Sequence, residues 1–247
     1  MNRLLHKKNI ILAVLAGASL ALYLVDYFVL GNSRDIASNF LGNLAFLPVY
    51  VIFITLIVEQ IVEKQERQAV MRKLNMVIGV FFSEVGNRLL KELSPYVAAC
   101  TELKHHLLVN GTWNDGEFEK GLDYLRRIDF KVSCDGCGKN RLKGFLFERR
   151  SFLIGLLENQ NLLEHDQFTD LLWAVFHLVE ELEARHSFDD MPQSDIEHIN
   201  GDIKRVFGHL SREWLLYMQH LKVDYPYLFS LAVRLNPMIE NPDPLVY

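Results

Sequence analysis

The sequence predicts an all-α protein: a two-helix transmembrane hairpin followed by a cytoplasmic helical bundle. Three observations carry that prediction. Two long apolar runs stand near the start of the chain. Apolar residues recur at three- and four-residue spacing through most of the remainder. No alternating strand pattern lasts more than a few residues.

The first run, 10–30, holds one ionisable group, Asp26. As a helix it is about 31 Å long, enough to span a hydrocarbon core. The second, 41–58, carries no charge and contains Pro48, which should kink it. A polar turn, GNSRDIASNF at 31–40, makes the pair a hairpin. Arg3, Lys7 and Lys8 precede the first run, and Lys64, Arg67, Arg72 and Lys73 follow the second. Lysine and arginine stay on the cytoplasmic side, so both termini are expected there, in a multi-pass inner-membrane protein. A cleaved signal peptide is the competing reading, but the run continues well past the small residues Ala16 and Ala18. Asp26 lies near the outer end, beside Tyr23 and Tyr27, where an interfacial belt suits it better than an ion site.

Beyond the hairpin, Leu74, Ile78, Phe81, Val85 and Leu89 form one helical stripe in a segment free of proline until Pro95. This predicts a long juxtamembrane helix at 63–95, whose stripe packs on its own chain or on a second copy. Gly79 and Gly86 weaken it or admit a close neighbour. Helices are then expected at about 96–109, 117–128, 141–158, 166–185, 195–221 and 225–235, each bounded by breakers. Phe168, Leu171, Leu172, Val175, Val179 and Leu182 mark the apolar face of the fourth. Ser194 with Glu197 fits a capping box at the start of the fifth. The organisation is therefore a hairpin at 1–62, a long helix at 63–95, a bundle at 96–235 and an extended tail at 236–247.

Composition narrows the function. The 247 residues carry 26 Lys and Arg against 31 Asp and Glu, a net charge of −5. A weakly acidic chain argues against nucleic acid as partner. Three cysteines are too few for a disulfide scaffold, and 14 Gly and 7 Pro exclude collagen-like sequence. No phosphate-binding glycine loop, nucleophile elbow or His-Glu-x-x-His motif is present.

Two patterns remain as candidate metal ligands. Cys134 and Cys137 form a Cys-x-x-Cys knuckle, half of a zinc site, with Cys100, His105 and His106 as possible completions; the bland alternative is a turn with two reduced thiols. His198, Asp202, His209, Glu213 and His220 follow one another at spacings of 4, 7, 4 and 7. At 100° per residue they form a narrow stripe of histidines and acids. Such i,i+4 pairs suit a metal or a pH sensor, and are also common on solvated helix faces. A di-iron bundle needs two Glu-x-x-His motifs, and Glu102 with His105 supplies only one. His177 and Glu180 run in the reverse order, and His177 points away from its helix's apolar face.

The segments LLENQNLLEHDQFTDLLWAVFHLVEEL at 156–182 and EWLLYMQHLKVDYPYLFSL at 213–231 resemble an uncharacterised family of prokaryotic membrane proteins with an N-terminal transmembrane hairpin and a helical cytoplasmic domain. The resemblance implies the architecture and no activity. The expected function is a non-enzymatic, membrane-anchored helical scaffold or regulatory protein. Membrane lipid and a protein partner, or a second copy, are its expected partners, and no cofactor is required. One alternative is a zinc or di-metal enzyme or sensor. Another is a small transport or channel subunit, prompted by Asp26 and Pro48.

Overall fold

The structure is a computed structural model. It describes Leu24, Phe28 and residues 33–98, 100–133, 138–159, 162 and 165–246, with side chains at Leu24, at Phe28 and from 50 onward except at 100–102. The chain divides into two compact units, Met1–Arg67 and Gln68–Tyr247.

Helix α1 is Ser33–Phe81. In the first unit its residues 50–58, with Ile61 and Val62, expose their apolar side chains. Among the described residues, no helix is long and apolar enough to cross a membrane. The expectation of a transmembrane hairpin, and the multi-pass inner-membrane placement drawn from it, is corrected accordingly. Apart from Leu24 and Phe28, the first predicted span lies outside the described residues, as does Asp26. Pro48 sits within α1 without ending it.

In the second unit, α1 gives way to one π-helical turn, Phe82–Gly86, then α2, Asn87–Leu93, and a 3₁₀ turn, Ser94–Tyr96, at Pro95. The helical path thus ends at Leu93, before the proline that cannot continue it. Leu74, Ile78, Phe81, Val85 and Leu89 are all buried, as the stripe predicts. The wider π turn also turns Phe82 inward, where it stacks on Tyr217 at 4.9 Å, while Phe81 meets Phe168 edge-on at 5.3 Å. A Cβ on Gly86 would lie 2.5 Å from the Phe82 ring, so only glycine fits this turn.

The remaining helices are α3, Cys100–Leu107; α4, Asp115–Arg127; α5, Lys139–Leu157; α6, Asp166–Ala184; α7, Gln193–Asp224; and α8, Pro226–Arg234. Among the described residues there is no sheet, only an isolated bridge between Val97 and Val132. The longest of these, α7, is the spine of the bundle: α2, α4, α6 and α8 all pack against it. Ile199, Ile203, Val206, Leu210 and Trp214 form its buried face. The Trp214 indole N–H donates to Asn87 Oδ1 at 3.1 Å, which satisfies the donor that burial would otherwise strand.

Two helix starts differ from expectation. Ser194 caps nothing: α7 begins at Gln193 behind Pro192, and the Gln193 amide bonds Glu197 instead. Proline ahead of the first turn already sets the entry backbone, so no side-chain cap is needed to place it. The capping box lies at Asn114, whose side chain accepts from the Glu117 N–H while Glu117 accepts from the Asn114 N–H at 2.6 Å. Asp115 and Gly116 therefore open α4 rather than bound it.

Candidate metal centre between α6 and α7

Residues 185–192 join α6 to α7, and the two helices run antiparallel. His177 faces His198 near the connection, and Asp170 influences His209 farther from it. On α6, His177 and Glu181 are one turn apart and share a face; on α7, His198 and Asp202 do the same. Antiparallel packing brings the two pairs together. Their ligand atoms all lie within 4.8 Å of one another.

Asp202 forms the floor of this cluster, with its side chain 3% exposed. Its Oδ1 accepts from Arg205 Nη1 at 3.0 Å. Its Oδ2 is buried and accepts no hydrogen bond. The two atoms that face Oδ2 are His177 Nε2 at 3.6 Å and His198 Nε2 at 3.5 Å. Both are at or past the limit of a useful hydrogen bond. Glu181 completes the ring, with Oε1 3.7 Å from His177 Nε2 and Oε2 3.5 Å from His198 Nε2.

These separations match a metal site better than a hydrogen-bonded one. Donors bound at about 2.1 Å around a tetrahedral ion stand about 3.4 Å apart. Two imidazoles and two carboxylates suit zinc, iron(II) or manganese(II), and the two negative charges cancel a divalent ion.

Arginine side chains hold both carboxylates from outside. Arg185 Nη1 donates to Glu181 Oε2 at 2.6 Å, and its Nε and Nη2 make a fork to Asp195 at 3.0 and 2.5 Å. The Glu181 carboxyl is thereby held below its usual range, chiefly by Arg185 and further by His198, with burial opposing. The same Asp195 fork raises the Arg185 guanidinium, with Glu181 adding to it. Arg185 thus ties the end of α6 to the first turn of α7.

The candidate ligands from the sequence meet different fates. His198 and Asp202 are in the cluster. His209 and Glu213 follow on α7 but do not join it. Burial pushes His209 down, whereas Glu213, buried with Oε1 unpartnered, is pushed up to about 7. Cys134 and Cys137 lie outside the described residues. His220 is tied to Asp224, Nδ1 to Oδ2 at 2.8 Å. Sequence reasoning missed His177 and Glu181. It paired His177 with Glu180, which is exposed, and turned His177 to solvent. The usable signal was the repeated His-x-x-x-acid spacing on two successive helices.

Comparison with known proteins adds the family. Residues 2–62 match the MJ1433 N-terminal helical domain, and residues 70–234 match the C-terminal helical domain of uncharacterized protein MJ1433. The chain belongs to the MJ1433 family. One relative, uncharacterized protein MJ1433 of Methanocaldococcus jannaschii, is 39% identical over 219 residues, covering 89% of this chain and 88% of its own length. The two MJ1433 domains meet where the structure divides, between 62 and 70. The expected resemblance to a helical family without assigned activity therefore stands, and its membrane character is not supported. No solved structure matches the chain.

Proposed function

We propose that this protein is a helical regulatory domain that binds one divalent transition-metal ion through His177, Glu181, His198 and Asp202. The observation that carries the reading is Asp202 Oδ2, a buried carboxylate oxygen that accepts no hydrogen bond and faces two imidazole nitrogens. Leaving such an atom unpaired is costly, and a cation between the two helices would repay that cost. Bound there, the ion would fasten α6 to α7 close to their connection. The first turn of α7 is exposed at Gln193, Ser194, Glu197 and His198, and the Arg185–Asp195 fork is its tie to α6. Metal supply would thus add to how firmly the start of α7 is held.

Calorimetric titration of the metal-free protein with zinc tests this. One site per chain is expected, with Asp202→Ala and His198→Ala each weakening binding at least about tenfold. Cys134→Ser should leave it unchanged. Binding that survives both cluster variants contradicts the proposal.

A second reading, a surface that engages another protein or a second copy, rests on exposed apolar residues at the α7–α8 junction. Val223 is 69% and Tyr227 71% exposed, with Leu228 and Leu231 beside them on α8. Sedimentation analysis of the wild type and of Tyr227→Ser tests self-association; a monomer at all concentrations argues against the second copy.

A further inference from the structure

The donors of the α6–α7 cluster come from one side only. Asp202 is at the bottom, while the side chains of His177 and His198 are 43% and 51% exposed. Glu181 commits Oε2 to Arg185. Its Oε1 remains for an ion, so the four ligand atoms are the two Nε2 atoms, Glu181 Oε1 and Asp202 Oδ2. Two histidines and two carboxylates on one side of an ion that accepts five or six ligands leave a coordination position open on the other. Here that other side is solvent.

The charge around the opening is also distinctive. A divalent ion is balanced by Asp202 and Glu181. Arg185 is balanced by Asp195. Arg205 then stands as a further positive charge at the rim, with a side chain 55% exposed and one N–H spent on Asp202 Oδ1. A metal ion beside a half-exposed guanidinium is a recognition pair for phosphoryl oxygens, since the ion binds one oxygen and the planar fork donates to others.

Resting on the proposed metal site, we infer that the bound ion keeps a coordination position open to solvent and takes a phosphoryl oxyanion there, oriented by Arg205. The ligand class is inorganic phosphate or the phosphoryl group of a monoester.

Cobalt(II) loaded into the full-length protein provides the test, because its visible spectrum reports coordination number. The expected result is a spectrum of more than four ligands that changes on titration with inorganic phosphate. Arg205→Gln, which retains a donor for Asp202 Oδ1, should weaken phosphate about tenfold while leaving cobalt affinity within about twofold. Repeating the titration with phenyl phosphate separates the sources: a response to phosphate alone supports a free anion, and a response to both supports a phosphoryl group on a larger molecule. An intense four-coordinate spectrum indifferent to either anion means that the four protein donors close the site, which overturns this inference and leaves the metal reading standing. Phosphate binding unaffected by Arg205→Gln overturns the role of Arg205. Failure to bind cobalt, zinc or manganese at all removes the metal reading itself.

Discussion

Glu213 shows how one residue sets a pH response. Its carboxyl is buried in α7, Oε1 has no partner, and desolvation raises its pKa from 4.5 to about 7, with Arg212 opposing. The folded state therefore binds a proton that the unfolded chain releases near pH 4.5. Stability from this group is fully present below about pH 4.5 and is lost as pH rises through about 7. The loss should reach about 1–3 kcal/mol. Urea unfolding at stepped pH should show that slope in the wild type and its absence in Glu213→Gln, with the variant the more stable above pH 7. Equal slopes in both proteins would mean that Glu213 is solvated in the fold. The residue was visible in the sequence as one member of a His/acid stripe, but its role was not. It is as buried as Asp202 on the same helix face, and what separates the two is the neighbour: Asp202 faces two histidines of the α6–α7 pair, whereas Glu213 Oε1 has no partner.

At the scale of elements, helix α4 depends on its N-terminus. The Asn114–Glu117 box satisfies two backbone N–H groups that would otherwise be orphaned. Asn114→Ala should lower stability by about 1 kcal/mol in equilibrium urea unfolding, and a change below the error of the method would count against the box. Gly121, on the same helix, lets α4 approach α7, since a Cβ there would lie 2.8 Å from Leu215 Cδ2. Most helices were legible because their apolar faces repeat at helical spacing. Phe168, Leu171, Leu172, Val175, Val179 and Leu182 are all buried. The starts were less legible, because Asp-Gly after Asn114 reads equally well as a breaker or as a first turn. The π turn at Phe82–Gly86 left no signal, since it keeps Val85 in the stripe while adding Phe82 to it. Trp173 stands at 57% exposure beside Phe176, where Trp113 and Trp214 are buried.

For the molecule as a whole, the second unit is held by α7 and closed by the tail. Asn236 is fully buried, and its amide donates to the Leu107 carbonyl at 3.0 Å while its Oδ1 accepts from the Met238 N–H. The tail reads as a proline-broken segment from the sequence, and only the packing reveals this anchor. The membrane expectation shows the opposite error. A scan for uncharged runs responds to composition alone, and among the described residues no helix meets the combined demand of length and apolarity. The metal centre lies between these cases. Half of it, His198 and Asp202, was readable as a spacing on one helix. The other half required knowing that α6 returns antiparallel beside it and carries His177 and Glu181 to the same height.

X-ray absorption of the zinc-loaded protein tests that centre most directly. The expected first shell holds nitrogen and oxygen only, with scattering from two imidazoles that falls when His177 is replaced by alanine. Sulfur in the first shell would place the ion at Cys134 and Cys137 instead, and would contradict the assignment to α6 and α7.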